Sequence, residues 1–173
     1  MNEAERIIDV EKTIEEYSDL LFRTCFIMLK NKHDVEDVMQ ETFIKYMTVN
    51  PKLDSEVHKR AWLLRVSQNK CKNLLRFHRM HRHVSYEDVQ ENLASKEKID
   101  NEYFEEFLKI SDLDFKYKSV IMLYYAEGYS IEEVADILEI SISAVKMRLK
   151  RAKEKLKKFY ERELKKEVGV NVI

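Results

Sequence analysis

A chain of 173 residues, 45% hydrophobic and 36% charged, carries enough apolar material for one folded domain or two small ones, and too much for a disordered chain. Only 2 Gly and 1 Pro leave few sharp turns or strand connections, which favours an all-α architecture. No apolar run approaches the roughly 20 residues needed to cross a bilayer, residues 1–16 are too acidic and polar for a secretory signal, and Cys25 and Cys71, without C-x-x-C or Cys/His spacing, are expected to be free thiols in a reducing cytosol.

The first helix is expected from Ile14, Tyr17, Leu20, Leu21, Cys25, Met28 and Leu29, which recur at three- and four-residue steps. Asn31 and Lys32 break that pattern, and Asp34 is the expected N-cap of a second helix running to about Met47. Its buried face is expected to be Val35, Val38, Met39, Thr42, Phe43 and Tyr46, with Pro51 ending it and Asp54 or Ser55 capping the third helix. Trp62, Leu63 and Val66 form the stripe of that third helix, so Trp62 is assigned to the core rather than to a stacking platform. A further helical stretch over residues 70–82 follows with little or no break, and Ser67, Gln68 and Asn69 fall at the junction between the two.

Residues 85–101 lack clean periodicity and are strongly acidic, which marks a linker. A second helical domain is expected from residue 102, with Phe104, Phe107, Leu108, Phe115, Val120, Ile121, Leu123 and Tyr124 supplying its core. Residues 128–156, GYSIEEVADILEISISAVKMRLKRAKEKL, are the most informative stretch. Gly128 suits the left-handed position that stops a helix, and Ser130 with Glu133 makes an S-x-x-E capping box. Ile131, Val134, Ala135 and Leu138 form the apolar face of the helix that starts there. Glu139 to Ser141 make a three-residue turn, and Ser141 caps the next helix. Ile142, Val145, Leu149, Ala152 and Leu156 should pack inward. Ser143, Lys146, Met147 and Lys150 then face out, flanked by Arg148 and Arg151. Cap, small Ala135, turn length and basic outer face together describe a helix-turn-helix whose second helix enters the major groove. Many such turns carry Gly where Glu139 stands, and a left-handed Glu costs up to about 1 kcal/mol relative to Gly.

The net charge of −1 conceals strong segregation. Residues 59–82 hold eight basic and no acidic side chains, residues 146–166 hold eleven basic and three acidic, and residues 85–114 hold ten acidic and three basic. One basic run is ordinarily a solvated helix face; two, each inside a structured motif, point to two contacts with a polyanion. His78, His81 and His83 lie among basic residues without nearby carboxylates or cysteines in the sequence, so no metal site and no cofactor are expected. No Gly-rich phosphate loop and no nucleophile with an evident base suggests an enzyme.

Three of these stretches resemble one family. DVEDVMQETFIKYM, residues 34–47, is similar to the polymerase-binding helix of conserved region two of bacterial sigma factors. KRAWLLRVSQNKCKNLLR, residues 59–76, resembles the adjoining segment that melts and reads the minus-ten promoter element, and the helix-turn-helix resembles region four, which reads the minus-thirty-five element. The resemblance covers about residues 14–82 and 113–158, and the bare order of region two, linker and region four is that of the extracytoplasmic-function group. It implies a region-two domain over residues 1–84, a linker over 85–101 and a region-four domain over 102–173. It implies a non-enzymatic, cytoplasmic initiation factor that binds core RNA polymerase and promoter DNA, held by a membrane-bound anti-sigma factor and not itself inserted in a membrane. Glu36, Asp37, Gln40 and Glu41 are the implied contacts to the clamp-helix coiled coil of the largest polymerase subunit. Lys59, Arg60, Arg65, Asn69, Lys70, Lys72, Arg76 and Arg79 are the minus-ten set, with the flipped-base role carried to Asn69. Ser143, Lys146, Met147, Arg148, Lys150 and Arg151 are the minus-thirty-five set. The competing reading is a stand-alone helix-turn-helix regulator with an N-terminal dimerisation or sensor module.

Overall fold

The computed structural model describes residues 2–81, 110 and 112–170, with side chains through residue 166. The chain divides into two compact units, Met1–Asn101 and Glu102–Ile173. All regular structure among the described residues is helical. The first unit holds α1 (Glu3–Leu29), α2 (Lys32–Val49) and α3 (Glu56–Met80). The second holds α4 (Phe115–Ile121), a π-helical turn (Met122–Ala126), α5 (Ile131–Leu138) and α6 (Ile142–Val170).

In the first unit each of the three helices packs on the other two. Leu21, Cys25, Val35, Leu63, Leu64 and Cys71 are completely buried between them, each large aliphatic side chain contributing roughly 1.5–3 kcal/mol. Both cysteines are free thiols in this core. Helix α1 begins well before the expected apolar stripe, because Asn2 and Glu5 close a capping box: the Glu5 N–H donates to Asn2 Oδ1 (2.9 Å) and the Asn2 N–H to Glu5 Oε2 (2.8 Å). Ile14, expected on the buried face, is exposed instead. Asn31, not Asp34, caps α2, its side-chain oxygen accepting from the Asp34 N–H at 3.0 Å. Asp34 therefore sits in the first turn, where a carboxylate favours the helix dipole. Helix α2 runs on to Val49 and stops at Asn50, whose φ of 46° is a left-handed conformation that Asn tolerates. Ser55 is the residue that caps α3, accepting from the His58 N–H at 3.2 Å.

The expected junction at residues 67–69 is not there: α3 is one unbroken helix through this point. Ser67 satisfies its hydroxyl on its own helix, donating to the Leu64 carbonyl at 3.0 Å. Ser67 and Gln68 are buried, and Asn69 alone of the three is exposed.

One carboxylate ties the three helices together at the start of α1. Asp9 accepts from the Tyr46 hydroxyl of α2 at 2.7 Å and from Lys59 Nζ of α3 at 3.2 Å, with Arg6 at 3.4 Å. Arg6 also donates to the Tyr46 carbonyl and lies over its ring. Trp62 meets the other side of this cluster edge-on to Tyr46, ring centroids 5.8 Å apart, as a half-buried core residue.

In the second unit, Val120, Leu123, Val134, Val145 and Ala152 are completely buried, with Tyr117, Ile121, Met122, Tyr129, Ile137 and Leu149 around them. Gly128 has φ 73°, and the Ser130–Glu133 capping box is formed with bonds of 3.1 and 2.8 Å. After α5, Glu139 is left-handed at φ 54°, and the Ile140 N–H donates to the Ala135 carbonyl at 3.0 Å in a Schellman turn. Ser141 then accepts from the Ala144 N–H at 3.1 Å and opens α6. Ile142, expected inside, is exposed: it lies about 60° around the helix from Val145, at the edge of the buried stripe. Phe104, Phe107, Leu108 and the residues 85–101 linker lie outside the described residues.

Burial raises the Asp9 pKa, but the Tyr46 and Lys59 hydrogen bonds and the Lys59 and Arg6 charges outweigh it and hold the carboxyl below its ordinary value. A lowered carboxylate stabilises the fold above its unfolded pKa, near about 4, and that contribution disappears as pH falls through the folded value. Asp9→Asn is expected to lower stability at pH 7 by about 1–2 kcal/mol, and to leave a shallower loss of stability below about pH 4. Urea titrations of both proteins at pH 7 and pH 3 check this; equal losses at the two pH values would rule out the charged hub.

Candidate nucleic-acid interfaces

The outward face of α2 is acidic. Glu36, Asp37, Gln40 and Glu41 are all exposed, opposite buried Val35, Val38, Thr42 and Phe43. Three of them meet basic side chains within the unit: Glu36 lies 3.8 Å from Lys32, Asp37 3.2 Å from the His33 ring, and Glu41 2.7 Å from Lys70 of α3. The last pair joins a residue of the expected polymerase-binding set to one of the expected minus-ten set. Exposed pairs of this kind are worth about 0–1 kcal/mol, so they orient these carboxylates without locking them.

The eight minus-ten residues separate into two groups. Lys59 points inward, its side chain only 14% exposed and bound to Asp9 (3.2 Å) and Glu56 (3.4 Å). Burial lowers its pKa, while the Asp9 hydrogen bond and the nearby Tyr46, Asp9 and Glu56 outweigh that and raise it, so the ammonium is a structural cation. Arg60 and Arg65 are half-buried. Asn69, Lys72, Arg76 and Arg79 are exposed, and their spacing places them along one side of α3, with Lys70 drawn toward Glu41 at its edge.

Sequence reasoning missed Asn73, which is exposed one turn beyond Asn69 and adds a second amide to this face. The signal was the apolar run Leu63, Leu64, Val66, Cys71, whose continuity requires a single helix and hence a single outer face. Phe77 is exposed, with His81 stacked on it at 4.2 Å. His78 does have a carboxylate beside it, Asp34 of α2, at 3.0 Å; the fold brings together what the sequence separates by 44 residues. Among the described residues no group of three or more His, Cys, Asp or Glu is arranged to hold a metal ion.

In the second unit, Ser143, Lys146, Met147, Lys150 and Arg151 are exposed on α6, and Arg148 is half-buried. Val145, Leu149 and Ala152 on the other side are buried, so the basic face is turned to solvent by the packing of the apolar one. This is a helix-turn-helix presenting a cationic second helix.

Two family models match the chain in the order of its units: Sigma-70 region 2 over residues 13–80 and Sigma-70, region 4 over residues 109–156. The ECF RNA polymerase sigma factor SigW of Bacillus subtilis is 27% identical over 162 residues, 84% of this chain and 85% of SigW. SigM of the same organism is 28% identical over 161 residues, 88% of this chain and 96% of SigM. The solved structure of CnrH in complex with the cytosolic domain of CnrY superposes with a TM-score of 0.63 at 25% identity, covering 88% of each chain; CnrH is a sigma factor of Cupriavidus metallidurans. The Bartonella quintana sigma factor RpoE, solved with the anti-sigma factor NepR, shares the fold with a TM-score of 0.65 at 19% identity, over 88% of this chain and 97% of that one. The chain belongs to the RNA polymerase sigma factors of the extracytoplasmic-function type, a non-enzymatic family, and it directs RNA polymerase to promoters.

Proposed function

We propose that the two faces of the first unit divide promoter opening between them, with the acidic face of α2 docking core polymerase and the exposed face of α3 holding the melted minus-ten strand. The observation that carries this is the segregation of charge on one small helical unit: four polar or acidic side chains on α2, and Asn69, Lys72, Asn73, Arg76 and Arg79 outward on α3. Helix α2 would meet the clamp-helix coiled coil of the largest subunit through charge-assisted hydrogen bonds from Glu36, Asp37, Gln40 and Glu41. On α3 the cations would hold phosphates while the Asn69 amide, with two donors and an acceptor, meets an extruded base. Arg60 and Arg65 complete the set from half-buried positions, and Lys70 becomes available when Glu41 engages a partner; the internal pairs of Lys59 argue for a supporting role at that site.

In this reading residues 1–84 form the region-two domain, 85–101 the linker and 102–173 the region-four domain. Helix α6 would read the minus-thirty-five element, with Ser143, Lys146, Met147 and Lys150 toward base edges and Arg148 and Arg151 toward phosphates. The protein would act in the cytoplasm; no described helix is long and apolar enough to cross a membrane. A cognate anti-sigma factor, membrane-bound, would hold it inactive. The solved complex of the similar CnrH with the cytosolic domain of CnrY supports such a partner.

Two measurements test the interfaces separately. Reversing Asp37 and Glu41 to Lys is expected to weaken core-polymerase binding in a co-elution titration with helicity unchanged, because both side chains are exposed; unchanged affinity removes them from the interface. Lys146→Ala and Lys150→Ala are expected to weaken holoenzyme binding to a matched minus-thirty-five element by roughly 1–3 kcal/mol each, and to a scrambled one by less. Equal losses on both elements would refute base reading and leave only phosphate contact.

A further inference from the structure

The π-helical turn Met122–Ala126 has a wider ring than an α-helix, the Glu127 N–H donating to the Met122 carbonyl at 3.0 Å. Turns of this kind change the phase of a helix and recur at functional sites. Here Met122 and Leu123 stay in the core while Tyr125 is turned out to solvent, 52% exposed. The ring of Tyr124 stands perpendicular to it, centroids 4.8 Å apart, and braces it. Lys153 of α6 sits on this exposed ring, its Nζ 5.3 Å from the centroid. Its interaction with the Tyr125 hydroxyl raises the pKa of the ammonium above its ordinary value.

Lys153 also belongs to a line. Lys146, Lys150, Lys153 and Lys157 are all exposed, and at steps of four, three and four residues they lie within about 60° of one another around α6. Arg148, Arg151 and Lys155 lie on the opposite edge of the same helix. A helix seated in the major groove has a phosphate backbone along each edge. A lysine normally loses much rotamer freedom on binding a phosphate, and an aromatic ring beneath it restricts that freedom beforehand.

We infer that Lys153, seated on Tyr125, binds a backbone phosphate at the edge of the groove entered by α6, with Tyr125 as its positioning residue. This rests on the reading of α6 as the duplex-reading helix. It extends the contact two turns beyond Lys146 and gives the π-helical turn a role: it aims one aromatic ring at the DNA-binding helix.

The test is the salt dependence of holoenzyme binding to duplexes carrying a matched or a scrambled minus-thirty-five element. Lys153→Gln is expected to weaken both by a similar factor, about 3- to 10-fold at low salt, and to reduce the slope of log K against log salt by about one. Tyr125→Phe, which keeps the ring, should stay near wild type. Tyr125→Ala should show a smaller loss in the same direction, and no further loss when added to Lys153→Gln. Lys165→Gln, about 18 Å further along α6, removes the same charge and should leave the slope unchanged. An unchanged slope for Lys153→Gln, or an equal effect from Lys165→Gln, would overturn the phosphate contact. Full additivity of Tyr125→Ala and Lys153→Gln would overturn the positioning role. A wild-type holoenzyme with no preference for the matched element would remove the reading of α6, and this inference with it.

Discussion

The burial of one stripe of α3 against α1 and α2 is the constraint on which the first unit depends. Leu63, Leu64, Ser67 and Cys71, all completely buried, recur at helical steps, and whichever residues lie opposite them must face water. Asn69, Lys72, Asn73, Arg76 and Arg79 are outward for that reason alone. The basic face is therefore a consequence of core packing. In the same three-helix unit, Asp9, Tyr46, Lys59 and Arg6 join all three helices with hydrogen bonds and charge. A cation from the basic segment is consumed in that junction, which separates the supporting Lys59 from the exposed residues beyond it.

The second unit solves the same problem with a different device. There the apolar edge of α6 packs against α4 and α5, and two local signals shape the turn between α5 and α6: the left-handed Glu139 and the Ser141 cap. A non-glycine residue at φ 54° carries strain of up to about 1 kcal/mol. The Schellman turn and the Ser141 cap compensate by satisfying backbone groups at both sides of the turn. The cationic face that results is a local product of three residues of turn and one stripe of core.

Much of this was legible in the chain. The helix-turn-helix was read nearly residue by residue, Ile142 excepted, because Gly128, Ser130, Glu133, Glu139 and Ser141 are local signals whose meaning does not depend on distant contacts. The outward placement of Glu36, Asp37, Gln40 and Glu41 followed from the periodicity of α2. Several errors arose where a tertiary partner overrides local pattern. Ser67 and Gln68 look like a break because they are polar, yet packing buries them and the helix continues. Asp34 looks like a cap, but Asn31 is positioned to do that work, and Asp34 instead lies beside His78, 44 residues away. Lys59 was indistinguishable from its basic neighbours until Asp9 and Glu56 were placed against it. Tyr125 could not have been singled out, since its exposure depends on a π-helical turn that no residue type announces.

The central claim is that the exposed face of α3 opens DNA, and does so only in partnership with core polymerase. Permanganate reactivity of thymines in a promoter duplex, selected by run-off transcription on genomic fragments, measures this directly. Reactive thymines are expected in the minus-ten element only when core polymerase and the chain are both present. Asn69→Ala should suppress that reactivity on duplex DNA while still initiating on a template already melted there, with poor discrimination among minus-ten bases. Opening by core polymerase alone, sequence-specific binding by the chain as a free dimer, or normal opening and discrimination by Asn69→Ala would each contradict the account.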